Sequence, residues 1–392
     1  MTTGEAPARR IAPTIRRDSR VMPLELFFDL VFVLALTQCT ALMAAEPTWE
    51  GLAKGVLVLG VLWWAWVGYA WLTSVVDPEE SLVRSVMFAA MGALLLVALA
   101  VPEAFGDLAL LFACAYAFVR IAHIGLFTII GRDDPGFRRS ANGLAVGTAI
   151  GFSILVGASF ADGWFQGLLW AVALALDVGE PFVFGSEGWR LEPGHFAERH
   201  GLFVIIALGE SIVAIGVGAE HHIDLGVGVA AVLGIAISAA LWWLYFDVVA
   251  LVAERRLHHA QPGRERNELA RDSFSYLHFP MVAGIVLLAL GFKKSLEHVG
   301  DALHTVPATA LLGGVALYLL AHVAFRWRNV HRLSVQRIVA AAVLLALIPG
   351  AVRMPALATL ALVTAALVVL IAYETVHFAE LRERLRHQVA DG

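Results

Sequence analysis

The sequence is short of charge. Asp, Glu, Lys and Arg make up 16% of 392 residues, where a soluble domain carries about 25%. That shortage excludes an ordinary water-facing surface along the whole chain. Cysteine is scarce too, with Cys39 and Cys114 the only two. Both fall in apolar runs, which leaves no disulfide framework, and they read as apolar filler. No basic block and no zinc-finger spacing occurs, so nucleic acid is not an expected partner. The net charge of −5 is too small to name any other. No helix carries a paired motif such as His-Glu-x-x-His. The reading therefore assigns no catalytic residue, no metal and no cofactor. The arginine-rich start lacks an apolar segment with a cleavage site and does not read as a signal peptide.

What is present is apolar. The apolar set reaches 59% and mean hydropathy is +0.76. Twelve runs of about twenty residues can each cross roughly 30 Å of hydrocarbon. They lie near 23–45, 51–74, 82–101, 107–130, 141–160, 164–181, 200–219, 224–251, 274–294, 305–325, 334–350 and 355–377. The run 164–181 is short and ends in Asp177, Glu180 and Pro181. The expected fold is an all-α polytopic membrane protein of about twelve helices. A tail 1–22, a connector 182–199 and a tail 378–392 are expected on the cytoplasmic side.

Loop charge tests the count. With the N-terminus inside, the inner segments hold Arg9, Arg10, Arg16, Arg17 and Arg20; Arg84; Arg132, Arg138 and Arg139; and Arg190 and Arg199. The second half adds Arg255, Arg256, Arg264, Arg266 and Arg271; Arg326, Arg328, Arg332 and Arg337; and Arg382, Arg384 and Arg386. That is 23 of 28 Lys and Arg; Lys54, Lys293, Lys294 and Arg353 lie outside, and only Arg120 falls mid-span. Such asymmetry is the positive-inside pattern. It places both termini in the cytoplasm.

The halves 23–181 and 200–377 read as two parallel six-helix repeats. Leu30-Val-Phe-Val-Leu-Ala-Leu-Thr-Gln38 aligns with Leu202-Phe-Val-Ile-Ile-Ala-Leu-Gly-Glu210. Trp63-Trp64 matches Trp242-Trp243, Ala122-His123 matches Ala321-His322, and Asp177 matches Glu374. An even number of spans per unit makes the repeats parallel, with a pathway expected near their interface.

Polar residues inside the spans are the functional candidates, because a charge in hydrocarbon costs a few kcal/mol or more unless it faces protein or water. Glu25 and Asp29 are four apart and share a helix face. Asp29 is the first candidate, and Phe28 and Phe32 on a neighbouring face could wall a passage. Glu25 is nearer the interface, where an inter-helix ion pair is the plainer reading. Gln38 lies nine residues beyond Asp29, about 180° round the helix. Glu210 sits ten residues into its span and suits proton exchange. Arg120 needs a carboxylate, with Asp177 or Glu210 as partner, and His123 shares its face. His278 and His322 read as inter-helix hydrogen bonds or pathway groups. Asp247, after the Trp242-Trp-Leu-Tyr-Phe run, and Glu374 complete the set.

Asp77-Pro-Glu-Glu80 reads as a helix stop. The tryptophans of 63–71 read as interface belt or packing. The segment 253–273 reads as a basic loop drawn to anionic lipid, and 181–199 as a loop along the cytoplasmic face.

These motifs carry a resemblance. Glu25-Leu-Phe-Phe-Asp-Leu-Val-Phe, Trp63-Trp-Ala-Trp with Trp71-Leu-Thr and Asp77-Pro, Gly201-Leu-Phe-Val-Ile-Ile-Ala-Leu-Gly-Glu-Ser211 and Trp242-Trp-Leu-Tyr-Phe-Asp247 resemble the bacterial low temperature requirement A family over nearly the whole chain. That resemblance implies fold and location more than activity. Phe27-Phe28-Asp29-Leu-Val-Phe-Val-Leu-Ala-Leu-Thr37 also looks like the first helix of the potassium or proton channels that carry a Phe-Ser-Asp motif. Phe28 stands where that family has Ser, and Gly201 stands at the second aspartate position. Asp29 is the residue this likeness carries over, as part of a conducting or gating helix.

The expected function is a transporter or channel for protons or another small cation, with membrane lipids as partners and room for a homodimer. One alternative is a membrane-embedded enzyme acting on a lipid or isoprenoid, using His123, His278 and His322 with Asp247 or Glu210. Another is a scaffold or sensor that moves nothing.

Overall fold

The computed structural model describes residues 20–185, 188–219 and 224–378. The two expected tails lie outside these, apart from Arg20 to Met22 and Phe378, and so do Arg9, Arg10, Arg16, Arg17, Arg382, Arg384 and Arg386.

The described chain is helical, with a single isolated bridge between Ala302 and Pro355. The first half contains α1 (Pro23–Ala45), α2 (Trp49–Thr73), α3 (Ser81–Ala100), α4 (Ala109–Ile130), α5 (Pro135–Ala158) and α6 (Gly163–Phe184). The second contains α7 (Pro193–Gly218), α8 (Leu225–Phe246), α9 (Val249–His259), α10 (Arg264–Leu269), α11 (His278–Glu297), α12 (Thr305–Val330), α13 (Val335–Ala351) and α14 (Ala356–His377). Among the described residues, eleven helical segments are long and apolar enough to cross a membrane, and Val335–Ala351 is a shorter apolar twelfth. They match the twelve expected spans one for one. The chain is a multi-pass all-α membrane protein.

Helix starts follow local chemistry. Pro23, Pro135 and Pro193 open α1, α5 and α7, where the missing N–H has no intrahelical partner to lose. Thr48, Asp134 and Asp224 cap α2, α5 and α8 by accepting amide hydrogen bonds. Asp134 sits in the loop before α5, where the Phe137 amide foremost holds its carboxyl below the usual range. Arg190 reaches it at 2.6 Å from the connector before α7.

Two expectations about loops are corrected. The segment 253–273 is helical: α9 continues α8, and α10 runs through a π-helical turn at Ala270–Tyr276 into α11. Gly263, at φ +96°, allows the reversal between α9 and α10. The stretch 193–199 is the first two turns of α7 rather than loop. Hydropathy starts that helix later because His195 and Arg199 are polar; inside the fold both are paired.

α2 is the central helix, and every residue from Val58 to Val76 is buried. A helix apolar all round is an interior helix. The tryptophans of 63–71 are therefore packing residues, not an interface belt. Trp63 and Trp71 donate to the carbonyl and hydroxyl of Ser275 at 2.7 and 3.0 Å. Around α2, the first half packs α1 on α3, α3 on α4, α4 on α5, α5 on α6 and α2 on α6. The second packs α7 on α11, α11 on α12, α12 on α13, α13 on α14 and α8 on α14.

α11 and α12 form the closest pair. A Cβ placed on Gly284 would stand 2.6 Å from the Gly314 carbonyl oxygen and 3.0 Å from the Tyr318 nitrogen. Both are backbone atoms and cannot move alone. Small residues that let backbones touch are how membrane helices gain packing without a hydrophobic drive. Gly284→Ala is therefore expected to cost about 1–3 kcal/mol by overpacking. Thermal unfolding in detergent measures it, and an unchanged midpoint would mean that the two helices part freely.

Candidate functional site

α1 and α7 lie side by side and run parallel, since Glu25 faces His195 and Arg199 while Thr37 faces Glu210. Their seam carries two polar layers.

The first layer is a buried ion network. Arg199 donates to Glu25 Oε1 at 3.0 Å and to Asp29 Oδ1 at 2.8 Å. His195 Nε2 lies 2.9 Å from Glu25 Oε1, and its Nδ1 lies 3.3 Å from Ser74 Oγ. Trp66 of α2 donates to Asp29 Oδ1 at 2.9 Å, and its ring lies 5.6 Å beneath the Arg199 guanidinium carbon. The Met22 amide donates to Glu25 Oε2 at 2.9 Å. Glu25, Asp29, His195 and Arg199 are all buried. The i, i+4 spacings 25/29 and 195/199 aim both pairs at the same seam. Among the described residues, Asp29 Oδ2 and Arg199 Nε have no hydrogen-bond partner.

The second layer is Glu210, which accepts from Thr37 of α1 and lies within reach of Thr40. Lys293 of α11 acts on it electrostatically. Arg199 and Glu210 are eleven residues apart, as are Asp29 and Thr40. Eleven residues is close to three turns, about 16 Å along one helix face.

Between the layers the seam is apolar and aromatic. The Phe32 and Phe203 rings sit 5.9 Å apart. Trp66 and Trp63 close on Phe203 at 4.4 and 5.2 Å. Phe28, behind them, packs on Tyr69 at 4.6 Å. Phe32 thus joins the wall that its spacing suggested, but Phe203 and Trp66 complete it.

The other candidates lie elsewhere. Arg120 of α4 pairs with Asp177 of α6 at 2.8 Å, not with Glu210, and also donates to Thr148 of α5. Tyr116 donates to the second Asp177 oxygen at 2.9 Å. His123 neighbours this pair, buried with its ring against Gly68 of α2. In the second half Glu374 of α14 takes two hydrogen bonds from Arg337 of α13, each at 2.9 Å, and one from Gln336. Arg120 is therefore not the only arginine held among the helices; Arg199 and Arg337 are too. His278 bridges Tyr245 Oη at 2.8 Å and the Ser273 carbonyl at 3.0 Å, the inter-helix bond expected of it. His322 bonds the Tyr318 carbonyl through Nδ1, and its Nε2 is unpartnered. Asp247 caps α8 at the mouth of a cavity. Gln38 is half-buried beside Thr37 and takes no part in the Glu210 contact. Among the described residues, no three His, Cys, Asp or Glu side chains are placed to hold a metal.

The residues that sequence reasoning missed are His195, Arg199, Trp66 and Thr37. One signal was available: His195 and Arg199 stand four apart just before an apolar run, as Glu25 and Asp29 do.

The chain is 31% identical over 307 residues to an uncharacterized protein of Rhizobium meliloti, covering 75% of this chain and 74% of the relative. No solved structure matches the chain. The model of the bacterial low temperature requirement A protein family matches residues 20–372, and the chain belongs to that family.

Proposed function

We propose that the protein moves protons, or another small cation, along the α1–α7 seam. The observation that carries this reading is the pair of ionisable layers on one seam with an aromatic plug between them. A purely structural ion network needs no second, arginine-free acid farther along the same faces.

Charge favours the proton over a metal cation. Arg199 is fixed in charge and repels any cation that must pass it. The open Asp29 Oδ2 gives an incoming proton an acceptor. Glu210, which accepts from the Thr37 hydroxyl, can pick up and release a proton at the other layer. Crossing between them requires Phe32 and Phe203 to part.

The repeated helix adjacency of the two halves supports reading this seam as the interface between two parallel six-helix units. Arg120–Asp177 and Arg337–Glu374 then hold each unit together. The basic loops orient the Glu25 layer toward the cytoplasm of an inner membrane.

The test is flux in sealed proteoliposomes under a pH gradient and, separately, a potassium gradient. Wild type is expected to dissipate the pH gradient. Asp29→Asn and Glu210→Gln are each expected to lower that flux at least about tenfold, equivalent to about 1.4 kcal/mol on the barrier. Equal proton flux in all three proteins would sink the seam as the pathway.

A further inference from the structure

A cavity of about 380 Å³ opens between α8, α9, α12, α13 and α14, away from the α1–α7 seam. Its apolar wall includes Trp243, Val249, Phe325 and Ile371. Its polar wall holds Arg326, Arg332 and Arg337 against Asp247 and Glu374. Glu374 is already engaged by Arg337 and Gln336. Arg326 is half-buried and donates to Ser334 Oγ at 2.7 Å. Arg332 is exposed at the rim and, among the described residues, pairs with no carboxylate. Fully ionised, the described lining residues carry three positive and two negative groups, a net +1. Asn329, also in the lining and 5% exposed, has a buried Oδ1 with no partner among the described residues, while its Nδ2 donates to Ser273 Oγ and the Phe325 carbonyl.

The corresponding space in the first half is nearly filled. Trp64 and Gly68, which align with Trp243 and Asp247, border a cavity of about 40 Å³ that Trp71 and Trp189 crowd. The second half keeps its space open and lines it with arginine. Its volume suits a headgroup with the start of its chains. An arginine-lined pocket at the helix ends, apolar on one wall, is the chemistry that takes a lipid phosphate.

We propose that this cavity binds the phosphate headgroup of an anionic membrane lipid. Arg326 and Arg332 take the phosphate oxygens, Asn329 Oδ1 accepts from a headgroup hydroxyl, and the acyl chains leave along Trp243 and Ile371.

Native mass spectrometry of the full chain in detergent tests this, with phosphatidylglycerol, phosphatidylcholine, inorganic phosphate and oleate as probes. Phosphatidylglycerol is expected to bind at least about tenfold tighter than phosphatidylcholine. The double variant Arg326→Ala/Arg332→Ala is expected to lose about tenfold of that affinity. Val249→Trp, which fills the space and leaves the arginines, is expected to weaken it as well. If the double variant does not fold, Val249→Trp decides alone. Equal binding of phosphatidylcholine, undiminished binding in a folded variant, or displacement by equimolar phosphate or oleate would each overturn the assignment. Displacement by phosphate would mark a site for a soluble anion, and displacement by oleate one for a fatty-acid carboxylate.

Discussion

Arg199→Ala is expected to lower stability by about 3–5 kcal/mol, because it leaves the Glu25 and Asp29 carboxylates buried without their cation. Arg199 touches both, at 3.0 and 2.8 Å. The cost is that of stranded charge, not of one lost contact. The triple variant Glu25→Gln/Asp29→Asn/Arg199→Met removes the charges together and should recover most of the loss, as replacing whole buried ion sets does elsewhere. Thermal unfolding in detergent separates the cases. An Arg199→Ala protein as stable as wild type would mean that the network is not holding α1 to α7. A triple variant that is stable and carries no proton flux would separate transport from folding in one experiment.

Phe203→Ala should act on both stability and flux. Its buried ring packs on Phe32, Trp63 and Trp66. Deleting such a ring costs about 3–5 kcal/mol when the cavity does not collapse. In the same step it removes most of the apolar barrier between the two acidic layers. Proton leak through folded protein is expected to rise at least about tenfold, an effect of about 1.4 kcal/mol on the barrier. Phe203→Leu keeps much of the volume and should leave flux near wild type. A destabilised Phe203→Ala protein with unchanged flux would mean that protons do not pass this plug, and the α1–α7 seam would have to be given up as the route.

Much of this protein is legible in its composition. Scarce charge and twelve apolar runs determine a polytopic helical membrane protein, because hydrocarbon leaves a backbone no other way to satisfy its hydrogen bonds in such runs. The cost of a buried charge also makes Asp29, Glu25, Arg120, Asp177 and Glu210 stand out one by one. What sequence could not supply was partnership. Pairing needs distance, and residues 170 apart along the chain, such as Asp29 and Arg199, are neighbours only once α1 meets α7. For the same reason Arg199 reads as a loop charge by hydropathy, which scores a paired and an unpaired arginine alike. The meeting of Arg120 with Asp177 rather than Glu210, and the turning of the 63–71 tryptophans inward, were likewise decided by tertiary packing. Side-chain periodicity names the face of a helix, but only the neighbouring helix settles what that face touches.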